Sequence, residues 1–287
     1  MNLLNLLKDP PPEFAFEIAA DGIAMQRTRP PATRQYLALT PGALVPSPVK
    51  DNVTDADELA RVVKALVPAG SGRRTAALIL PDNSLRLAVL DFETLPPKEE
   101  DRLALIKFRL KKTLPFDVDE AALSTFVQPG NKVLAAVAPV EVIARYEAPF
   151  RSAGLHPGLV TCSSLALLEL LPRTGSQLVA HLSPGALTVL ALRNGVVTLA
   201  RTLELATAAD PLDEISADLY PTLIYLEDQT SHRPDKLILA GFGNTADSAA
   251  TRLSVELEIP AEALNVENPG LTGYLHSLSP TLKKAAA

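Results

Sequence analysis

The chain has 287 residues, 47% of them apolar and 21% charged, and a formal net charge of −6. That length can bury a sizeable core in one large domain or two ordinary ones, and no window approaches the roughly 18 uninterrupted apolar residues of a membrane span. The acidic balance, with no Trp and few aromatics, excludes a nucleic-acid binder, and the single cysteine, Cys162, excludes an intramolecular disulfide.

In chain order, the opening MNLLNLLKD lacks a basic n-region and a small-residue cleavage site. It is not read as a signal peptide, and the chain is expected to stay in the cytoplasm. FAFEIAADGIAM, residues 14–25, reads as two short strands meeting at a tight turn of small residues, the arrangement by which several folds offer backbone N–H groups to phosphate. A third strand is predicted over 35–39, and DADELARVVKALV carries apolar residues at 59, 62, 63 and 66, a helical stripe with Thr54 or Asp55 as N-cap.

RTAALIL and LRLAVLDF are read as paired strands joined by the turn PDNS. DRLALIKFRLKK follows as a helix with acids in its first turn and basic residues at its end, stopped by Pro115. Strands at AALSTFV and KVLAAVA meet at Pro129-Gly130-Asn131. PVEVIARYEAPFRSAG is a helix ended by Gly154, HPGLVT a strand and SSLALLELL a helix, with Cys162 before it read as a small buried residue rather than a catalytic thiol.

At Ser176 the pattern restarts: SQLVAHL, ALTVLAL and VVTLARTL form a meander with a strong hairpin signal at Arg193-Asn194-Gly195. A long helix follows with apolar positions at 212, 215, 219, 223 and 226 and a kink expected at Pro221. Then come a strand KLILAG and a helix ADSAATRLSVEL, and the last twenty residues are weakly patterned and expected to fray. The meanders near 14–39 and 177–201 resemble each other, a weak internal repeat, and the alternation of strands and helices argues for α/β layers.

Taken together these pieces resemble the PilM family of type IV pilus assembly proteins, bacterial actin-like proteins related to FtsA. The resemblance runs over about residues 14–268. It rests most on IKFRLKKTLPFDVDEAALSTFVQ and VEVIARYEAPFRSAGLHPGLVTCSSLALLELL, with NGVVTLARTL and PDKLILAGFGNTADSAATRLSVELEIPAEALNV in the places of the family's hairpin and nucleotide-loop regions. It implies an α/β, actin-like fold of two RNase H-like halves. Residues 1–172 would form the first half, with a small α/β subdomain inserted at about 73–138, and residues 173–287 a shortened second half lacking most of the helical subdomain on the adenine side. It also implies a place at the inner-membrane face, a grip on the cytoplasmic N-terminal tail of a PilN-like membrane protein, and a cleft for ATP. Self-association stands open.

The nucleotide loops depart from the family pattern. Glu17-Ile18-Ala19-Ala20-Asp21 stands where the family reads like D-I-G-S-S, and His181-Leu182-Ser183-Pro184-Gly185 where it has D-x-G. Pro184 also lacks a backbone N–H. His181 is read as a surface or turn residue rather than a metal ligand, and Phe242 as filling the space between Gly241 and Gly243. If nucleotide is used, the cleft residues are Glu17, Asp21, Gly22, Ser183, Gly185, Gly241 and Gly243, and no catalytic residue or metal ligand is expected. The expectation is a scaffold that binds Mg-ATP weakly at most and does not hydrolyse it. The rivals are a working ATPase using Glu17 and Asp21 for Mg²⁺, the cytoplasmic part of a type II secretion protein and, distantly, a small-molecule kinase. The basic cluster Arg102, Lys107, Arg109, Lys111 and Lys112 reads as a solvated helix face, or as a contact for anionic lipid.

Overall fold

The computed structural model describes residues 10–30, 32–68, 70, 74–206 and 211–278. The first half begins with β1 (Phe14–Ala19), β2 (Gly22–Arg27) and β3 (Arg34–Ala38), followed by α1 (Ala56–Leu66) and β4 (Arg74–Leu80). Asp55 caps α1 by accepting from the Glu58 N–H at 2.9 Å. Inserted next are β5 (Arg86–Asp91), α2 (Glu99–Leu110), β6 (Ala121–Gln128) and β7 (Lys132–Pro139). The first half resumes with α3 (Val140–Ser152), β8 (Leu155–Cys162) and α4 (Ser163–Leu167).

The second half comprises β9 (Ser176–Ser183), β10 (Ala186–Arg193), β11 (Val196–Glu204), α5 (Pro211–Thr230), β12 (Lys236–Ala240), α6 (Ala246–Glu256), β13 (Ala261–Leu264) and α7 (Pro269–Ser277). Asn194 and Gly195 turn the β10–β11 hairpin with φ of 49° and 76°, the left-handed pair that matches strand twist. Residues 205–210 join β11 to α5.

The two halves share one topology. Their sheets run β3-β2-β1-β4-β8 and β11-β10-β9-β12-β13, each an antiparallel meander extended by two parallel strands. The internal repeat read in the sequence is therefore structural: a mixed α/β, actin-like fold of two RNase H-like sheets plus a small antiparallel subdomain.

Four expectations need correction. RTAALIL and LRLAVLDF do not pair: β4 lies between β1 and β8, whereas β5 belongs to a separate sheet ordered β5-β7-β6. The run ALIL is buried because its sheet is covered on both faces, and PDNS is a buried 3₁₀ turn between two sheets rather than a hairpin turn. The insert accordingly starts near 86, not 73. SSLALLELL is one α-turn passing into 3₁₀ rather than a full helix.

The chain's end also returns to the first half. α7 packs Leu271 and Tyr274 against Ala15, Ala77 and Ile79 on one face of the first sheet, so the described part of the last twenty residues is ordered core and does not belong to the second half. Its approach to α4 is close: a Cβ at Gly273 would lie 2.1 Å from the Ala166 carbonyl oxygen. The opposite face of that sheet packs Phe16 and Leu78 against α1 and against Val142 and Phe150 of α3, with the Phe16 and Phe150 rings 4.9 Å apart.

In the second sheet, Leu178, Leu187 and Leu239 meet Ile215 and Leu219 of α5 and Leu253 of α6. The other face is covered by the rest of the molecule: Val179, Leu190 and Ile238 share one core with Cys162 and Leu167 of the first half and Leu87 and Leu134 of the insert. Burial, and then the charge of Asp82, push the Cys162 thiol up, which suits an inert core residue.

Gly273→Ala separates packing from propensity. Alanine in a helix interior gains about 1 kcal/mol over glycine, but at this contact overpacking should destabilise by about 1–3 kcal/mol, read as a lower urea midpoint. A rise in the midpoint would show that α7 is not packed on α4.

Candidate functional site

Strand β4 leads into Pro81-Asp82 and strand β12 into Gly241, and the turns of β1–β2 and β9–β10 face the same space. Together they enclose a cleft of about 880 Å³ between the halves. This is where an α/β sheet places a ligand, beyond the carboxyl ends of its parallel strands. Glu17, Asp21, Gly22, Ser183, Gly241 and Gly243 all line the cleft, but Gly185 does not.

Glu17 is 8% exposed, and both of its carboxylate oxygens accept hydrogen bonds. The Gly270 N–H donates to Oε1 at 3.1 Å, the Leu271 N–H to Oε2 at 2.9 Å, and the Ser163 hydroxyl also donates to Oε1. Pro269 opens α7, and its next two amides are orphan donors at the positive end of the helix. A residue in the first strand therefore caps the last helix, and the glutamate's length serves to reach it.

A second buried acid lies opposite. Asp82 has no exposed side-chain surface; it accepts the Ser164 N–H at Oδ1 (2.8 Å) and both the Ser164 hydroxyl and the His181 Nδ1–H (3.0 Å) at Oδ2. Ser164 Oγ and His181 Nδ1 are 2.8 Å apart. Burial alone would raise the Asp82 pKa, but the His181 hydrogen bond and charge, with the Ser164 bonds, hold it below the usual carboxylate value. Burial would likewise lower the His181 pKa, but the Asp82 bond and charge and the nearby Glu17 hold it above the ordinary imidazole value.

His181 is thus corrected from a surface or turn residue to a buried strand residue of β9, 2% exposed, that ties the second half to the first. Asp82 and Ser164 were missed in the sequence. The available signal was an acid directly after the apolar run ALIL, which is the carboxyl end of a buried parallel strand.

The first hairpin carries backbone roles instead. The Asp21 carbonyl accepts from the Tyr36 hydroxyl at 3.1 Å and the Leu39 N–H at 2.9 Å. A Cβ on Gly22 would come within 2.2 Å of the Tyr36 oxygen, so Gly22 makes room for that ring. On the other wall, Gly241 has φ +80° and a Cβ there would lie 2.0 Å from the Leu182 carbonyl oxygen. Phe242 does not fill the cleft, because its side chain is buried in the core of the second half.

The cleft's charge is one-sided. Among the described residues, Glu17, Asp21, Asp82, Asp247 and Glu267 line it, with His181 and no lysine or arginine. Among the described residues no group of three or more His, Cys, Asp or Glu is placed to hold a metal ion. Arg34 lies outside, fastening the C-terminal segment by donating to the Glu267 carbonyl at 2.8 Å and the Thr272 hydroxyl at 3.1 Å. The basic cluster of the insert is dispersed into local contacts: Lys107 and Lys111 reach Asp119 at 3.1 and 3.8 Å, Arg109 lies over Phe92, Lys112 over Phe108, and Arg102 donates to the Pro96 carbonyl.

No protein-family model and no curated relative matches the chain. Among solved structures it is similar in fold to a chain of the PilM–PilN type IV pilus biogenesis complex, with TM-score 0.71 and 20% identity over 89% of each chain. It also resembles a Bacteroides thetaiotaomicron protein described as having an actin-like ATPase fold and unknown function (TM-score 0.57, 12% identity, 91% of this chain and 94% of the other). A third is the cytoplasmic domain of EpsL, an inner-membrane component of the Vibrio cholerae type II secretion system (TM-score 0.55, 10% identity, 96% and 94%). At these identities the likeness establishes the actin-like fold.

Two expectations follow from the buried acids. Glu17→Ala leaves the first amides of α7 without an acceptor and should cost about 2–3 kcal/mol in chemical denaturation, with Glu17→Asp too short to restore it. His181, with its folded pKa raised, stabilises fully below its unfolded value near 6.5 and loses that contribution as pH rises through the folded value. Asp82, with its pKa lowered, holds its contribution until strong acid. The denaturation midpoint should therefore fall as pH rises from about 6.5 through the raised imidazole value in the wild type, and fall less in His181→Gln. Equal slopes in the two proteins would remove His181 from the account.

Proposed function

We propose that the chain is a cytoplasmic actin-like scaffold of type IV pilus assembly that grips the cytoplasmic N-terminal tail of a PilN-like inner-membrane protein and does not hydrolyse ATP. The observation that carries this reading is the exposed part of the insert's sheet. On β6, Phe126 stands opposite Leu134 of β7, and Ala122 opposite Ala138. Leu134 and Ala138 are covered by the core that joins the insert to both halves, whereas Phe126 is 66% exposed on the same sheet face. β6 is the outer strand of its sheet, and Val140, which opens α3 in the first half, is 54% exposed. An extended tail can add main-chain hydrogen bonds at that edge and place apolar side chains against Phe126 and Val140.

The fold shared with a chain of the PilM–PilN complex supports this partner, and the likeness to cytoplasmic EpsL supports a type II secretion platform as the alternative machine. The loss of ATP hydrolysis is supported by the residues themselves. A Mg²⁺ ion would have to compete for the carboxylate oxygens of Glu17 and Asp82, each of which already accepts an N–H or O–H donor. Among the described residues the cleft offers a triphosphate five carboxylates and no lysine or arginine, so no direct cationic contact beyond His181. The rival reading, a nucleotide site, draws on the cleft's volume, which falls in the range of small-molecule pockets.

Fluorescence polarisation with the N-terminal tail of the PilN-like protein tests the partner: Phe126→Asp should weaken binding by about tenfold or more without lowering the melting temperature. A tail that binds equally to that variant, or not at all, sinks the groove. Calorimetry with Mg-ATP tests the cleft separately, with millimolar binding at best and no phosphate release expected. Micromolar affinity that disappears in Asp21→Ala would restore the ATPase.

A further inference from the structure

α5 is apolar on two sides. Ile215, Leu219, Leu223 and Leu226 face the core of the second half. A second stripe, Ala217, Tyr220, Pro221, Ile224 and Tyr225, lies on the solvent side at helical spacing, with Tyr220 and Tyr225 each 53% exposed and Ile224 38%. A surface helix ordinarily presents polar residues there, and a helix apolar all round belongs where both faces are covered. The charges flanking the stripe share one sign: Asp213, Glu214, Asp218, Glu227 and Asp228 are the helix's charged residues, and it carries no lysine or arginine. From neighbouring elements, Arg252 pairs with Asp213 and Arg233 with Glu227, and Arg201 of β11 donates to the Asp218 carbonyl and the Thr222 hydroxyl, while the carboxylates of Asp218 and Asp228 lie in neither pair. Pro221 has no N–H, so the Ala217 carbonyl on the exposed stripe loses its i+4 donor and adds an acceptor to the same surface.

We propose that this stripe docks a cationic amphipathic segment of a partner protein, whose apolar side chains cover Tyr220, Ile224 and Tyr225 while its Lys or Arg groups meet Asp218, Asp228 and the freed carbonyl. The acids that attract such a segment repel an anionic bilayer. A symmetric pairing of two copies through this face would set acid against acid. The site is on the outer face of the second half, and it depends neither on nucleotide nor on the tail groove at the insert.

The probe is a short amphipathic Leu/Lys helical peptide, with a Leu/Glu peptide of the same pattern as control, titrated into the full chain at low salt. The Leu/Lys peptide should bind, the Leu/Glu peptide should not, and affinity should fall as salt is raised. Replacing Tyr220, Ile224 and Tyr225 together by Ser should lower affinity by about tenfold or more while leaving the melting temperature unchanged. Asp218→Asn with Asp228→Asn should reduce the salt dependence. The proposal is overturned if the triple variant binds the Leu/Lys peptide as the wild type does, or if the Leu/Glu peptide binds equally well. It is also overturned if sedimentation shows the wild type self-associating through this stripe, with association lost in the triple variant.

Discussion

A carboxylate taken out of water must have its charge answered where it lies, and that constraint governs the place where the two halves of this molecule meet. Glu17 is answered by the first amides of α7 and by Ser163, and Asp82 by Ser164 and His181. Each acid sits at the start of a helix, where backbone N–H groups and the helix dipole favour negative charge. In a nucleotide-binding fold those donors would be candidates for a phosphate. Here side chains of the same chain hold them, and the arrangement stabilises the fold.

The same contacts bind the parts of the chain into one body. Asp82 and Ser164 belong to the first half and His181 to the second. Gln128 of the insert adds a further tie, donating to the Val197 carbonyl at 3.0 Å and accepting its N–H at 2.8 Å, in the manner of an added strand residue. Beneath these polar links, Cys162, Leu87 and Leu190 from three segments share a single core. The second sheet uses the first half and the insert as one of its covering layers, so the halves repeat a topology without being separable domains.

This arrangement accounts for the distribution of exposed apolar surface. Where the insert's sheet meets the shared core its residues are buried, and where β6 runs past that core Phe126 is left uncovered. The solvent side of α5 is similar, an apolar stripe on a helix whose other side already fills the core.

Much of the fold was legible in the sequence, because local signals with a physical cause carried it. Apolar spacing at 59, 62, 63 and 66 marked α1, Asp55 its cap, and Asn194-Gly195 the turn of the second meander. The resemblance between the two meanders marked the duplication. Pairing between distant segments was not legible: RTAALIL and LRLAVLDF look like a hairpin because they are adjacent, and only the tertiary structure sends them to different sheets. The cleft was half visible. Its hairpins and glycines follow from local turn chemistry, but the fate of each charge does not, since whether Glu17 reaches a metal or a helix end depends on where α7 arrives. Asp82, His181 and the C-terminal helix were misread or missed for that same reason: composition fixes which groups are charged, and only the packed chain decides which donors surround them.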